Sequence, residues 1–162
     1  MRDVIDVRPA GGGIWLYITS TDPNHTGNYI RNIRVIMPGF PDSSTDIFHT
    51  SFLEKLKQYR LLRVMQWMET NGSTQSRWST RTRMEDARWN RPGSGGVPVE
   101  AMVKLANKLS ADLWVNMPHQ ADDEYIASFA ALVRDSLAPN LKIRVEYSNE
   151  VWNGSYGYTQ ST

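Results

Sequence analysis

The sequence predicts an α/β fold in which parallel strands alternate with helices. Short apolar and β-branched runs recur between residues 32 and 147, and the segments between them repeat apolar residues at helical spacing. Pro or Gly stands where several of these runs stop, as at Pro38-Gly39 and Pro118. The 162 residues hold about four such strands, whereas a complete (β/α)8 barrel takes roughly 250 residues. We therefore expect part of a TIM barrel, with about four βα units.

The first 30 residues differ in character from the rest. Three glycines, Gly11 to Gly13, precede an alternating run over residues 14–19, and Asp22-Pro23-Asn24 marks a turn. This pattern predicts a β-hairpin that closes an upstream β-rich segment. We accordingly divide the chain into a β-rich segment, residues 1–30, and the N-terminal half of a (β/α)8 barrel, residues 31–162.

Four strands and three helices are predicted in alternation. The strands cover residues 32–37, 61–67, 113–117 and 141–147. Ser51-x-x-Glu54 has the spacing of a capping box and opens a short helix through Tyr59. Pro98 suits the first turn of the second helix, and Asp122 or Asp123 caps the third.

Composition excludes some kinds of function. The net charge of +1 gives no electrostatic reason to expect a nucleic-acid partner or an anionic membrane surface. The chain has no cysteine and no long apolar run, so disulfides, thiolate metal sites and a membrane-spanning helix are not expected. Its three histidines lack the spacing of metal ligands, and no cofactor is expected.

Alternation along the strands predicts which side chains enter the barrel. Arg144, Glu146 and Ser148 point inward on the last strand, and Glu150 continues that parity. The same reasoning sends Trp114 and Asn116 inward on the preceding strand. The carboxyl ends of the strands thereby gather polar and aromatic side chains on the face where barrel active sites form, namely Trp67, Glu69, Asn116, His119, Asn149 and Glu150. Trp67 and Trp152, in or beside predicted loops, have side chains that suit stacking on sugar rings.

These residues carry a family resemblance. Residues 111–123 and 146–153, including the Asn149-Glu150 pair after the last strand, resemble the clan A glycoside hydrolases. The resemblance covers most of residues 30–155, including residues 62–67 and Thr70-Asn71. The resemblance implies that Glu150 is the general acid/base and that Asn149 binds the sugar 2-hydroxyl. It also implies that Arg63 contacts the nucleophile region and that His119 lines a sugar subsite, with Asn116, Trp67 and Trp152 as further substrate contacts. The family nucleophile is a Glu after the seventh strand, which this chain lacks.

We therefore expect a fragment of a retaining glycoside hydrolase that acts on β-linked polysaccharides or oligosaccharides. The isolated chain is expected to be inactive, because the nucleophile is missing from it. The alternative is a barrel that binds carbohydrate without catalysis. The resemblance also implies an extracellular or periplasmic location, although the N-terminus does not resemble a signal peptide. If the chain is complete, its open barrel edges are expected to favour self-association.

Each site assignment leaves a structural alternative open. Glu150 is otherwise a helix-capping or salt-bridged surface acid, and His119 an ordinary loop histidine. Arg63 otherwise neutralises Glu146 inside the barrel, and the tryptophans are otherwise apolar plugs at the bases of loops.

Overall fold

The computed structural model describes residues 5, 7, 11–31, 33–41, 45–89 and 95–154. The chain divides into two compact units, Met1–Asp42 and Ser43–Thr162. In the described residues, the helices and strands are α1 (Thr50–Leu56), β1 (Leu61–Arg63), a 3-10 turn (Trp78–Thr80), α2 (Val99–Leu109), β2 (Asp112–Met117), α3 (Asp123–Ser136) and β3 (Ile143–Tyr147).

The first unit contains no helix or strand among its described residues. Its best-defined feature is a turn in which the Asp22 carboxylate accepts hydrogen bonds from the backbone of Thr26 and Gly27, while Ile30 N donates to Thr21 O at 3.0 Å. The turn predicted at Asp22 therefore forms, but paired strands of a hairpin do not. The alternating run beside it stays exposed, with Trp15 at 81%, so its apolar face lacks the packing that stabilises a two-stranded ribbon.

The first predicted strand also differs from the structure. Asn32 lies outside the described residues, and residues 33–37 belong to no strand. Val35 and Met37 are exposed, whereas an inner barrel strand is covered on both faces. The described chain therefore has three strands where the sequence predicted four. The predicted division of the chain after residue 30 stays a prediction.

The second unit is built on a parallel sheet with the strand order β1-β2-β3, which confirms the α/β prediction. Its register pairs Arg63 with Trp114 and Asn116 with Glu146. One face of the sheet packs against α2 and α3. The core there consists of buried side chains from strands and helices, including Leu62, Leu113, Val115, Met102, Val103, Leu105, Tyr125, Phe129 and Val133.

The helices begin largely where the sequence indicates. Asp122 caps α3 by accepting a hydrogen bond from Tyr125 N at 2.7 Å, and α2 starts directly after Pro98. The cap of α1 differs from the prediction, because His49 rather than Ser51 occupies that position. Its Nδ1 accepts from Ser51 N at 3.1 Å. An imidazole nitrogen thus accepts from Ser51 N, a backbone donor that the capping-box pattern assigned to the Glu54 carboxylate.

The strand β3 has the predicted parity but not the expected burial. Ile143 and Val145 line a groove with Phe129 and Val133 of α3, so they do lie on the helix side of the sheet. Yet Val145 is 60% exposed and Tyr147 64%. The reason is that β3 stands at the end of the strand order, where α3 covers it only in part.

Candidate functional site

The face of the sheet opposite the helices is polar. Arg63, Trp114, Asn116 and Glu146 alternate with the core residues along their strands, and the parallel register brings them together. The Arg63 guanidinium lies over the Trp114 ring, 5.0 Å from its centroid. The predicted parity of β2 and β3 is therefore observed, and it gathers one charged and hydrogen-bonded cluster across three strands.

Glu146 is the centre of this cluster. Its Oε2 accepts hydrogen bonds from Arg63 NH2 at 2.8 Å, from Trp114 Nε1 at 2.9 Å and from Asn116 Nδ2 at 2.8 Å. Arg63 Nε lies at 3.3 Å from the same oxygen. The Arg63–Glu146 ion pair was the structural alternative for Arg63, and it does form.

The electrostatics of Glu146 follow from these contacts. Desolvation raises the pKa of its carboxyl, but the hydrogen bonds from Arg63, Asn116 and Trp114 and the charge of Arg63 outweigh it and hold the pKa below the usual 4.5. Glu146 is therefore ionised at neutral pH. A group in that state accepts hydrogen bonds and orients its neighbours, and it is unsuited to donate a proton.

Asn149 extends the cluster beyond the end of β3. Its side chain is nearly buried, at 5% exposure. Arg63 NH2 donates to Asn149 Oδ1 at 2.8 Å, and Asn149 Nδ2 donates to Asn71 Oδ1 at 3.0 Å. Both ends of the amide are thus fixed, which determines which way its oxygen and nitrogen point. Arg63 and Asn149, both predicted as substrate contacts, are brought together by the fold.

Glu150 follows Asn149 and is exposed. Its Oε2 accepts a hydrogen bond from Asn153 Nδ2 at 3.0 Å, and Glu150 O accepts from Asn153 N at 2.8 Å. The backbone of Glu150 is left-handed, with φ of +47°, as are those of Ser148 at +51° and Glu69 at +46°. Such strained conformations of non-glycine residues concentrate at functional sites.

The other predicted contacts occupy different surroundings. Asn116 is fully buried, and it donates from Nδ2 to Ser148 O at 2.7 Å as well as to Glu146, so it supports the cluster from beneath. Trp67 stacks on Phe52 with ring centroids 6.2 Å apart and packs beside the core, which is the plug role. Trp152 is 78% exposed. His119 is half-buried just beyond β2, and its carbonyl accepts from the Tyr147 hydroxyl at 3.3 Å.

Sequence reasoning left three members of the cluster out of the predicted site. Strand parity had placed Glu146 and Trp114 inside the barrel. The charge of Glu146 needs a partner there and the indole N–H of Trp114 needs an acceptor, so both carried a usable signal. Asn71 lies in the part of the chain that carries the resemblance, but it was given no role, because Asn71-Gly72 has the composition of an ordinary turn. Its contact with Asn149 spans 78 positions of the chain and depends on the fold.

Three comparisons with known proteins found no counterpart. No protein-family model, no curated protein and no solved structure matches this chain. Within the described ranges, no group of three or more His, Asp or Glu side chains is arranged to hold a metal ion. Over the same residues, every helix is too short or too polar to cross a membrane.

Proposed function

We propose that this chain supplies the acid/base half of a retaining glycoside hydrolase site that acts on β-linked glycans. In this proposal its three parallel strands are part of a (β/α)8 barrel. Glu150 is the general acid/base, and the nucleophilic carboxylate comes from outside the cluster described above. The observation that carries the proposal is the doubly anchored Asn149 amide, which is held at the carboxyl end of the sheet directly before Glu150.

The geometry supports this division of labour between the two neighbouring acids. Glu146 is committed to three donors and ionised, so its role is to hold Arg63 and Asn116 in place. Among the described residues no charged group donates to Glu150. Its backbone forms a left-handed turn just past β3, and its carboxylate accepts from Asn153. A bound sugar would lie against this exposed carboxylate, within the reach that proton transfer to a glycosidic oxygen requires.

Arg63 and Asn149 would recognise substrate rather than react with it. The Asn149 amide is held by Arg63 at its oxygen and by Asn71 at its nitrogen, so it presents a fixed polar edge to a sugar at the strand ends. Arg63 is pinned by Glu146 and by Trp114, so its guanidinium is preorganised for an oxygen-rich ligand.

The test uses Glu150→Ala in the protein that carries this chain. Natural glycan turnover is expected to fall by about 10²- to 10⁴-fold, because proton transfer is lost. Dinitrophenyl glycosides need no proton donor to leave, so they should still form the glycosyl-enzyme. Azide should then accelerate their turnover and yield a β-glycosyl azide of retained configuration.

The matched control is Glu124→Ala, which removes an exposed acid from the first turn of α3. This variant should turn over glycans at the parental rate and give no azide product. Unchanged turnover of a natural glycan by Glu150→Ala would refute the assignment of Glu150. The isolated 162-residue chain should hydrolyse none of these substrates.

One observation favours the alternative function, which is carbohydrate binding without catalysis. Glu150 is exposed and its carboxylate already accepts from Asn153, whereas a catalytic acid requires an environment that favours protonation. A binding site needs only the anchored polar groups and the exposed Trp152 ring. Glycan binding by the parent protein with no turnover of any glycoside would establish this alternative.

A further inference from the structure

A polar pocket lies beside the cluster, in the loop that follows β1. Its volume is about 290 Å³, just below the roughly 300–1,000 Å³ of ligand sites. Seven of its lining residues come from one stretch of the loop, namely Gln66, Glu69, Thr70, Asn71, Gly72, Ser73 and Thr74. The eighth is Gly95, which is distant in sequence and packs against that stretch.

The pocket is joined to the candidate site by Asn71. This residue lines the pocket and also accepts the hydrogen bond from Asn149, the residue that precedes Glu150. A ligand in the pocket that contacts Asn71 therefore acts on the same amide that Arg63 holds from the other end. The two sites are separated by one hydrogen bond.

The shape of the pocket is fixed by the backbone. Thr70 Oγ1 donates to Met65 O at 2.9 Å, and Val97 N donates to Trp67 O at 2.7 Å. Gly96 allows the chain to approach Trp67 this closely, because its φ is +76° and an added Cβ would lie 1.8 Å from Trp67 O. Backbone carbonyls of Met65 and Trp67 thus hold the walls of the pocket on both sides.

The lining specifies the chemistry of the ligand. Amides and hydroxyls dominate it, and these groups both donate and accept hydrogen bonds, as sugar hydroxyls do. Among the lining residues Glu69 alone is charged, so an anionic ligand would meet a like charge. The volume suits one ring. We propose that this pocket is a subsite for a single neutral sugar unit of the glycan and that it discriminates against uronic acids, an inference that rests on the proposed function.

The experiment titrates the ¹⁵N-labelled 162-residue chain with neutral methyl β-glycosides (glucoside, galactoside, mannoside and xyloside) and with methyl β-glucuronide. At least one neutral probe should shift the amide signals of Gly72 and Gly95. The glucuronide should bind about fivefold more weakly than the glucoside, because like charges a few ångströms apart repel even in water. Glu69→Gln should remove that difference, and Glu85→Gln, at an exposed acid of the same loop, should preserve it.

A blocking variant separates this site from the cluster. Thr74 is exposed and lines the pocket, so Thr74→Trp should abolish the shifts at Gly72 and Gly95, while Ser79→Trp, outside the pocket, should leave them. The subsite proposal would be overturned if none of the neutral probes shifted these amide signals. It would also be overturned if Thr74→Trp bound the probes fully. Shifts confined to residues 150–153 would overturn the subsite and leave the proposed function standing. Shifts at Gly72 and Gly95 together with unchanged turnover by Glu150→Ala would support the subsite and refute the proposed function.

Discussion

The two faces of the small sheet are made by the same strands and differ in what they contribute. Leu62, Leu113 and Val115 face α2 and α3 and are buried in a continuous apolar core. On the opposite face, the alternate residues form the Arg63–Glu146 cluster, whose charged members remain about a third exposed. The helix side holds the unit together by burial. The polar side is held by hydrogen bonds that each contribute modestly to stability but fix direction closely.

This difference shows why the candidate site lies where it does. A charge cluster on the helix side would carry the full cost of desolvation. On the open side, Glu146 keeps enough contact with water to stay ionised while Arg63, Trp114 and Asn116 orient it. The period of two along each strand is what allows one sheet to provide both environments.

The largest effect on stability is expected from a substitution in the apolar core between the sheet and the helices. Phe129 is fully buried, stacks on Tyr125 and meets the edge of Trp78. Phe129→Ala should lower the free energy of unfolding by about 3–5 kcal/mol, because it removes buried apolar surface and leaves a cavity. Urea denaturation measures the change. Ile126→Ala, at a partly exposed position on the same helix, should cost clearly less, and equal losses would contradict the contrast drawn here.

A smaller effect on stability is expected from a substitution in the hydrogen-bonded cluster on the polar face of the sheet. Glu146→Ala leaves donors of Arg63, Trp114 and Asn116 without their acceptor, which should cost about 1–3 kcal/mol of unfolding free energy. Because Arg63 also orients Asn149, the variant should lose glycan binding more than it loses stability. Denaturation and binding are measured side by side, with Glu124→Ala as the control. If Glu146→Ala kept full glycan binding, Glu146 would not be needed to orient the groups that bind the glycan.

The smallest effect is a dependence of stability on pH. The folded-state pKa of Glu146 lies below its ordinary value of 4.5, so its ionised form contributes stability above that pH. This contribution is lost as the pH falls from 4.5 through the folded-state pKa. Glu146→Gln cannot titrate, so the stability difference between the two proteins should narrow over that range. A difference that stayed constant from neutral pH to pH 3 would contradict the ionised assignment.

Local patterns predicted much of the second unit. Asp122 caps α3 as its position indicated, and the parity of β2 and β3 sent Asn116 and Glu146 to one face as expected. The failures came where an element depends on distant partners. The alternating run at residues 14–19 resembles a strand, but a strand forms only where another strand and a core receive it. The cap of α1 went to His49 because several side chains near a helix start can accept the same backbone donor.

The sequence by itself determined the α/β class, the helix positions in the second unit and the faces to which the residues of β2 and β3 belong. These follow from periodicity and capping, which act over a few residues. Tertiary structure alone decided that Arg63 holds both Glu146 and Asn149, that Trp67 packs on Phe52, and that Asn71 links a pocket to the Asn149 amide. Those contacts join residues far apart in the chain, so they exist only once the parallel register brings the strand ends together.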